Sequence, residues 1–206
     1  SLKPNEHKQI RISLALSESE EQTKQLIAQR SVYRDLQALT EGIKNSCDQW
    51  MSRETEFHSS SLLLNRVVRR SLLDLHMLKT SISGDEFFAA GVPWYVTLFG
   101  RDCLITSLQT LAFWPDTAAD TLRLLARYQG GEVSDWRDEQ PGKILHELRV
   151  GELARMNKIP HTPYYGTIDA TPLFIILMTR YVQWTGDVSL FQELRSHIER
   201  ALQWID

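Results

Sequence analysis

Apolar residues recur every three or four positions along most of this 206-residue chain, and that period restricts it to packed α-helices. Helical structure is expected from Ser17 onward. Ser17-Glu18-Ser19-Glu20 offers an N-cap followed by first-turn acids, and Leu26, Ile27, Val32, Leu36, Leu39, Ile43 and Trp50 then recur at helical spacing. A second helix is expected over 60–79, capped within Ser59 to Ser61, with Leu64, Val67, Val68, Leu72, Leu75 and Leu78 as its stripe. Two more fit 101–113 and 116–128, separated at Trp114-Pro115, where proline suits a first helical turn. A fifth, over 171–185, opens with Thr171-Pro172 and is apolar nearly all round from Leu173 to Met178, the pattern of a helix buried on most sides. Gly186-Asp187 ends it, and a last helix carries Leu190, Leu194, Ile198, Ala201, Leu202 and Ile205. One stretch has a different period. In 8–16, "KQIRISLAL", Ile10, Ile12, Leu14 and Leu16 alternate as on one face of a strand. It reads as the end of a preceding β-rich domain or a linker over 1–16, followed by a helical domain over 17–206. The final "ALQWID" lies inside a running apolar pattern, so the chain reads as a piece of a longer polypeptide.

Composition narrows the function classes. The chain is 42% hydrophobic and 24% charged, an ordinary soluble globular balance. A net charge of −3 without a dense Lys/Arg stripe argues against nucleic acid and against an anionic membrane surface. No apolar run approaches the length of a membrane span. Cys47 and Cys103 match no metal-ligand or redox spacing and read as free buried thiols. The N-terminus lacks the pattern of a signal peptide, from which a cytoplasmic location is expected.

The helical period is interrupted for longest over 129–168, a connection with five glycines and three prolines. It also holds Trp136, His146, His161, Tyr164 and Tyr165, ordering groups that a disordered linker lacks, so it reads as a folded wall of a site. Three stretches in or beside it stand out: "GVPWYVTLFGRD" at 91–102, "PGKILHELRVGE" at 141–152 and "PHTPYYGTIDATP" at 160–172. Each lies in a turn before or between helices, and in a ring of paired helices such turns gather at one end. Aromatic faces with planar hydrogen-bonding groups suit a pyranose, which offers C–H faces and vicinal hydroxyls. Trp94 is either a stacking surface or a core aromatic. Arg101 and Asp102 either cap a helix or hold sugar hydroxyls, and the roles are compatible. His146-Glu147 suggests a zinc motif, but the required second histidine position is Val150. Glu147, Arg149 and Glu152 could form a buried ion network. His161 reads equally as a loop brace or a sugar contact, Tyr164 and Tyr165 as an aromatic wall, and Asp169 as a helix cap or a substrate ligand. With no phosphate loop, nucleophile elbow or Cys/His nucleophile pattern, paired carboxylates are the chemistry in sight, and glycoside hydrolysis uses them most naturally.

These stretches, as "AAGVPWYVTLFGRDC", "PGKILHELRVGE" and "YYGTIDATPLF", resemble recurring phrases of the glycogen-debranching, amylo-α-1,6-glucosidase-like family. The likeness runs in order over roughly 60–206, and "LNRVVRRSLLDLHML" is similar to the helix preceding the first phrase. The resemblance implies a mostly α fold, part of an (α/α)6 toroid as in six-hairpin glycosidases, after an N-terminal β-rich domain. It implies an inverting mechanism with an acid and a base carboxyl about 6.5–9.5 Å apart. The substrate is then an α-glucan or oligosaccharide, with no cofactor or metal. Trp94, Arg101 and Asp102 would line the subsite of the released sugar, and Glu147, Arg149, His161, Tyr165 and Asp169 the same cavity mouth. The segments that carry the family's acid and base have no counterpart here, so both catalytic carboxylates are expected beyond residue 206. A cut ring is also expected to self-associate through its exposed inner helices. Two other readings compete: a helical interaction scaffold, which would show a fixed repeat that is absent, and a toroidal sugar epimerase or lyase, which would favour a histidine cluster.

Overall fold

A computed structural model of the chain describes residues 19–28, 36–51 and 55–206. The strand expected within 8–16 lies outside the described residues. The chain divides into two compact units, Ser1–Arg53 and Glu54–Asp206. The first contains α1 (Glu20–Ala28) and α2 (Leu36–Met51).

The second unit begins with α3 (Leu62–Leu78), whose N-cap Ser61 accepts a hydrogen bond from the Leu64 amide at 3.3 Å. Of its predicted stripe, Leu72 is buried, whereas Leu64 and Val67 near the first turns face water. A short antiparallel hairpin follows, β1 (Lys79–Ile82) and β2 (Asp85–Phe88), with Lys79 opposite Phe88 and Ile82 opposite Asp85. Ser83 and Gly84 make its turn with φ of 54° and 95°, the doubly positive setting that matches the right-handed twist of paired strands. Phe87 and Phe88 are both 1% exposed and anchor the hairpin in the core.

Four longer segments complete the unit: α4 (Gly100–Gln109), α5 (Pro115–Arg127), α7 (Ala170–Thr185) and α8 (Ser189–Ile205), with a single turn, α6 (Glu152–Arg155), inside the long connection. Pro115 occupies the first turn of α5, next to the N-cap Trp114. Helix α5 is the centre of the core: Ala118, Leu122, Leu124 and Leu125 are fully buried, and it packs on β2, α4, α7 and α8. A hydrogen bond between the Ser107 and Thr121 hydroxyls, 3.2 Å, satisfies the two buried polar groups where α4 meets α5. Helix α7 buries Phe174, Leu177, Met178 and Tyr181 on one face, but Ile176 and Trp184 on the other are exposed. It is therefore covered on one side, not on most sides as its composition suggests. No helix among the described residues is long and apolar enough to cross a membrane.

Candidate functional site

The three turn stretches meet. Backbone around Glu147 lies between the first stretch and the third, as the middle of three short extended segments. On one edge Leu148 N donates to Leu98 O at 3.0 Å and Gly100 N to His146 O at 2.9 Å. On the other, His146 N donates to Tyr164 O at 2.7 Å, Tyr164 N to Glu147 O at 2.9 Å and Arg149 N to His161 O at 2.7 Å. Glu147 thus forms antiparallel bridges with Phe99 and with Tyr164. Gly100 is required for this approach, because a Cβ there would lie 2.1 Å from the Leu145 carbonyl oxygen and 3.3 Å from Ala170 Cβ. The same contact brings the first turns of α4 and α7 together.

Two polar groupings sit on this frame. At the helix starts, the Arg101 guanidinium lies 3.4 Å from the Asp169 carboxylate and 4.0 Å from that of Asp102. Asp169 occupies the N-cap position of α7 but makes no side-chain capping bond. It accepts instead from the Thr167 hydroxyl and from Arg101. Burial pushes the Asp169 carboxyl up, the hydrogen bonds from Thr167 and Arg101 push it down, and the net effect holds it below its ordinary value. Thr171, in the first turn of α7, is buried and accepts from the Ile144 amide at 2.9 Å, tying α7 to the middle segment.

The second grouping centres on Glu147, 8% exposed, which pairs with Arg149 and lies 3.5 Å from His161 Nε2. Arg149 also donates to the Trp94 carbonyl at 3.0 Å and lies over the rings of Phe99 and Tyr95, 5.5 and 6.0 Å from their centroids. His146 and Tyr164 extend this aromatic row, His146 being 5.9 Å from Phe99 and 6.0 Å from Tyr164. An open cleft of about 460 Å³ adjoins Arg149, walled by Thr97, Val150, Glu152 and Leu153.

Of the eight residues predicted for the site, seven lie on this frame. Trp94 is 78% exposed, and Arg101, Asp102, Glu147, Arg149, His161 and Asp169 are linked as above. Tyr165 is placed differently. It is 3% exposed, its hydroxyl donates to the Tyr128 carbonyl at 2.8 Å, and burial pushes its pKa up. Its neighbour Tyr164 takes the outward position and donates to Asp138 at 2.6 Å, a bond that holds the phenolic proton and raises its pKa. Phe99, His146 and Asp138 join the site without having been singled out as site residues. His146 adjoins Glu147, Asp138 adjoins Arg137, whose carbonyl accepts from Tyr165 N, and Phe99 is the bridge partner of Glu147, two residues before Arg101. Cys103 is fully buried, donates to the Gly100 carbonyl at 3.3 Å, and its thiol pKa is pushed up by burial, so it is no nucleophile in this state. Among the described residues, no group of three His, Cys, Asp or Glu side chains could hold a metal ion.

What fold and site define together is a mostly helical protein with one polar and aromatic surface where three turns converge. No family model matches this sequence, and no curated protein sequence matches it.

Proposed function

We propose that the chain is the substrate-holding part of a glycoside hydrolase acting on α-glucan or oligosaccharide, of the amylo-α-1,6-glucosidase-like kind that its motifs resemble. Its helices would then form part of an (α/α)6 ring in a cytoplasmic enzyme. One observation carries the reading: three stretches separated by up to 57 residues of sequence lie side by side, with Glu147 bridged to Phe99 and Tyr164. A scaffold gains nothing from gathering exposed Trp94, paired carboxylates and guanidinium groups at one place. A sugar site needs all three, the indole for the C–H face and the charged forks for vicinal hydroxyls.

In this reading Asp102 and Asp169, spaced by Arg101, accept hydrogen bonds from sugar hydroxyls. Arg101 orients both carboxylates and helps to hold Asp169 ionised. The Glu147–Arg149–His161 grouping braces the neighbouring turn and presents Arg149 to the ligand. The acid and base carboxyls of an inverting reaction lie beyond residue 206, and no cofactor takes part. The test is glucose release from glycogen and isomalto-oligosaccharides. The full-length gene product is expected to release glucose and the 206-residue chain to release none. Release by the chain alone would place the acid and base within it, and an inert full-length product would overturn the glycosidase reading.

A further inference from the structure

We infer that Trp136 is a second stacking platform and that the site takes a chain of sugars across two indoles, not a single sugar; this rests on the carbohydrate reading above. Residues 134–139, "SDWRDE", form a closed turn in which Ser134 N donates to Glu139 O at 3.1 Å and Glu139 N to Ser134 O at 3.0 Å. The turn is braced from within. Glu139, 5% exposed, accepts from the Gly131 amide at 2.9 Å and pairs with Arg137, which reaches Glu132 at 2.6 Å. Buried Lys143 donates to the Asp138 carbonyl at 3.1 Å. Yet this braced turn leaves Trp136 59% exposed. Holding a large apolar ring in water forgoes the stabilisation its burial would give. An exposed ring carried on a braced backbone suits a binding platform, because little backbone freedom is lost on contact.

Trp94 stands in a turn closed the same way, with Gly91 and Tyr95 exchanging backbone hydrogen bonds of 3.2 and 2.9 Å. The two turns flank the polar frame on opposite edges. Trp94 leads into the segment at 98–100, beside the middle segment around Glu147, which pairs in turn with 161–164. Beyond that edge, Tyr165 N donates to Arg137 O at 2.8 Å and the Tyr164 hydroxyl to Asp138 at 2.6 Å, which attaches the Trp136 turn. Hydrogen-bonded neighbours lie about 4.8 Å apart, so the first and fourth segments are separated by roughly 14 Å. That breadth exceeds one pyranose ring. A linear glucan can lay different residues against the two indoles, with its hydroxyls over the charged groups between them.

The test is binding of maltose and of maltoheptaose to the full chain and to its Trp136→Ala and Trp136→Phe variants, by calorimetry, with circular dichroism to check folding. Trp136→Ala is expected to weaken maltoheptaose about tenfold and leave maltose unchanged, with Trp136→Phe between it and the parent. Equal weakening of both sugars, or of neither, would overturn the second platform while leaving the functional reading intact. Failure of the parent chain to bind either sugar would overturn the carbohydrate reading and this inference with it.

Discussion

Gly100 sets how closely the first two turns approach, and through them where Arg101 meets Asp169. In Gly100→Ala the new Cβ meets backbone at 2.1 Å, so α4 and the Leu145 segment must separate. We expect a loss of about 2 kcal/mol and a fall of several degrees in Tm, read by thermal denaturation. Glu147→Gln keeps the shape but leaves Arg149 without its charge partner. Because Arg149 is partly solvated, the expected cost is about 2 kcal/mol in urea denaturation, below that of a fully buried pair. Asp169 offers a sharper readout. Its lowered pKa means that the ionised form contributes stability above the ordinary carboxylate range, and that this is lost as pH falls through the lowered value. Titration by carboxyl-carbon NMR is expected to give a value below that of an ordinary aspartate in the parent and a higher one in Arg101→Ala. An unchanged value would mean that Arg101 does not hold the carboxylate.

Helix α8 shows how one element is fixed by both apolar and polar contacts. Leu190, Leu194, Ile198 and Ala201 bury one face, while Gln129 donates to the His197 carbonyl at 2.9 Å and accepts from Arg200 at 3.0 Å. Burial, then the Arg200 charge, lowers the pKa of His197. Between the ordinary value of about 6.5 and that lowered value the unfolded chain binds more protons, so stability falls as pH drops through this window. Urea midpoints at pH 7.5 and 5.5 are expected to differ less in His197→Gln than in the parent. The long helices were legible because a 3.6-residue period survives any tertiary context that buries one face. The hairpin at 79–88 was not, being two four-residue strands whose only local sign is the Ser83-Gly84 turn. Along an extended segment successive side chains point to opposite faces, so composition could not tell Tyr164 from Tyr165, and only the pairing with Glu147 decides between them. Likewise, periodicity marks the stripes of α3 and α7 but not how much of each is covered.

At the scale of the whole second unit, apolar surface remains open. Leu62 and Leu63 on α3 are 74% and 72% exposed, and Trp184 on α7, 62% exposed, borders an open groove of about 280 Å³ beside the end of α4. Surface of this kind favours association. We expect concentration-dependent self-association in sedimentation velocity, reduced in the Ile176→Ser/Trp184→Ser double variant; a single monomeric species at every concentration would count against it. The burial of Cys103 has a practical corollary. Its sulfur is sealed beneath the opening turn of α4, against the Gly100 carbonyl, so an alkylating reagent reaches it only when that corner of the protein lifts apart. Partly accessible Cys47 supplies an internal clock for the reagent's own speed. The ratio of the two labelling rates therefore times the breathing of the site floor, and a ligand that staples the turns together would slow one rate and spare the other.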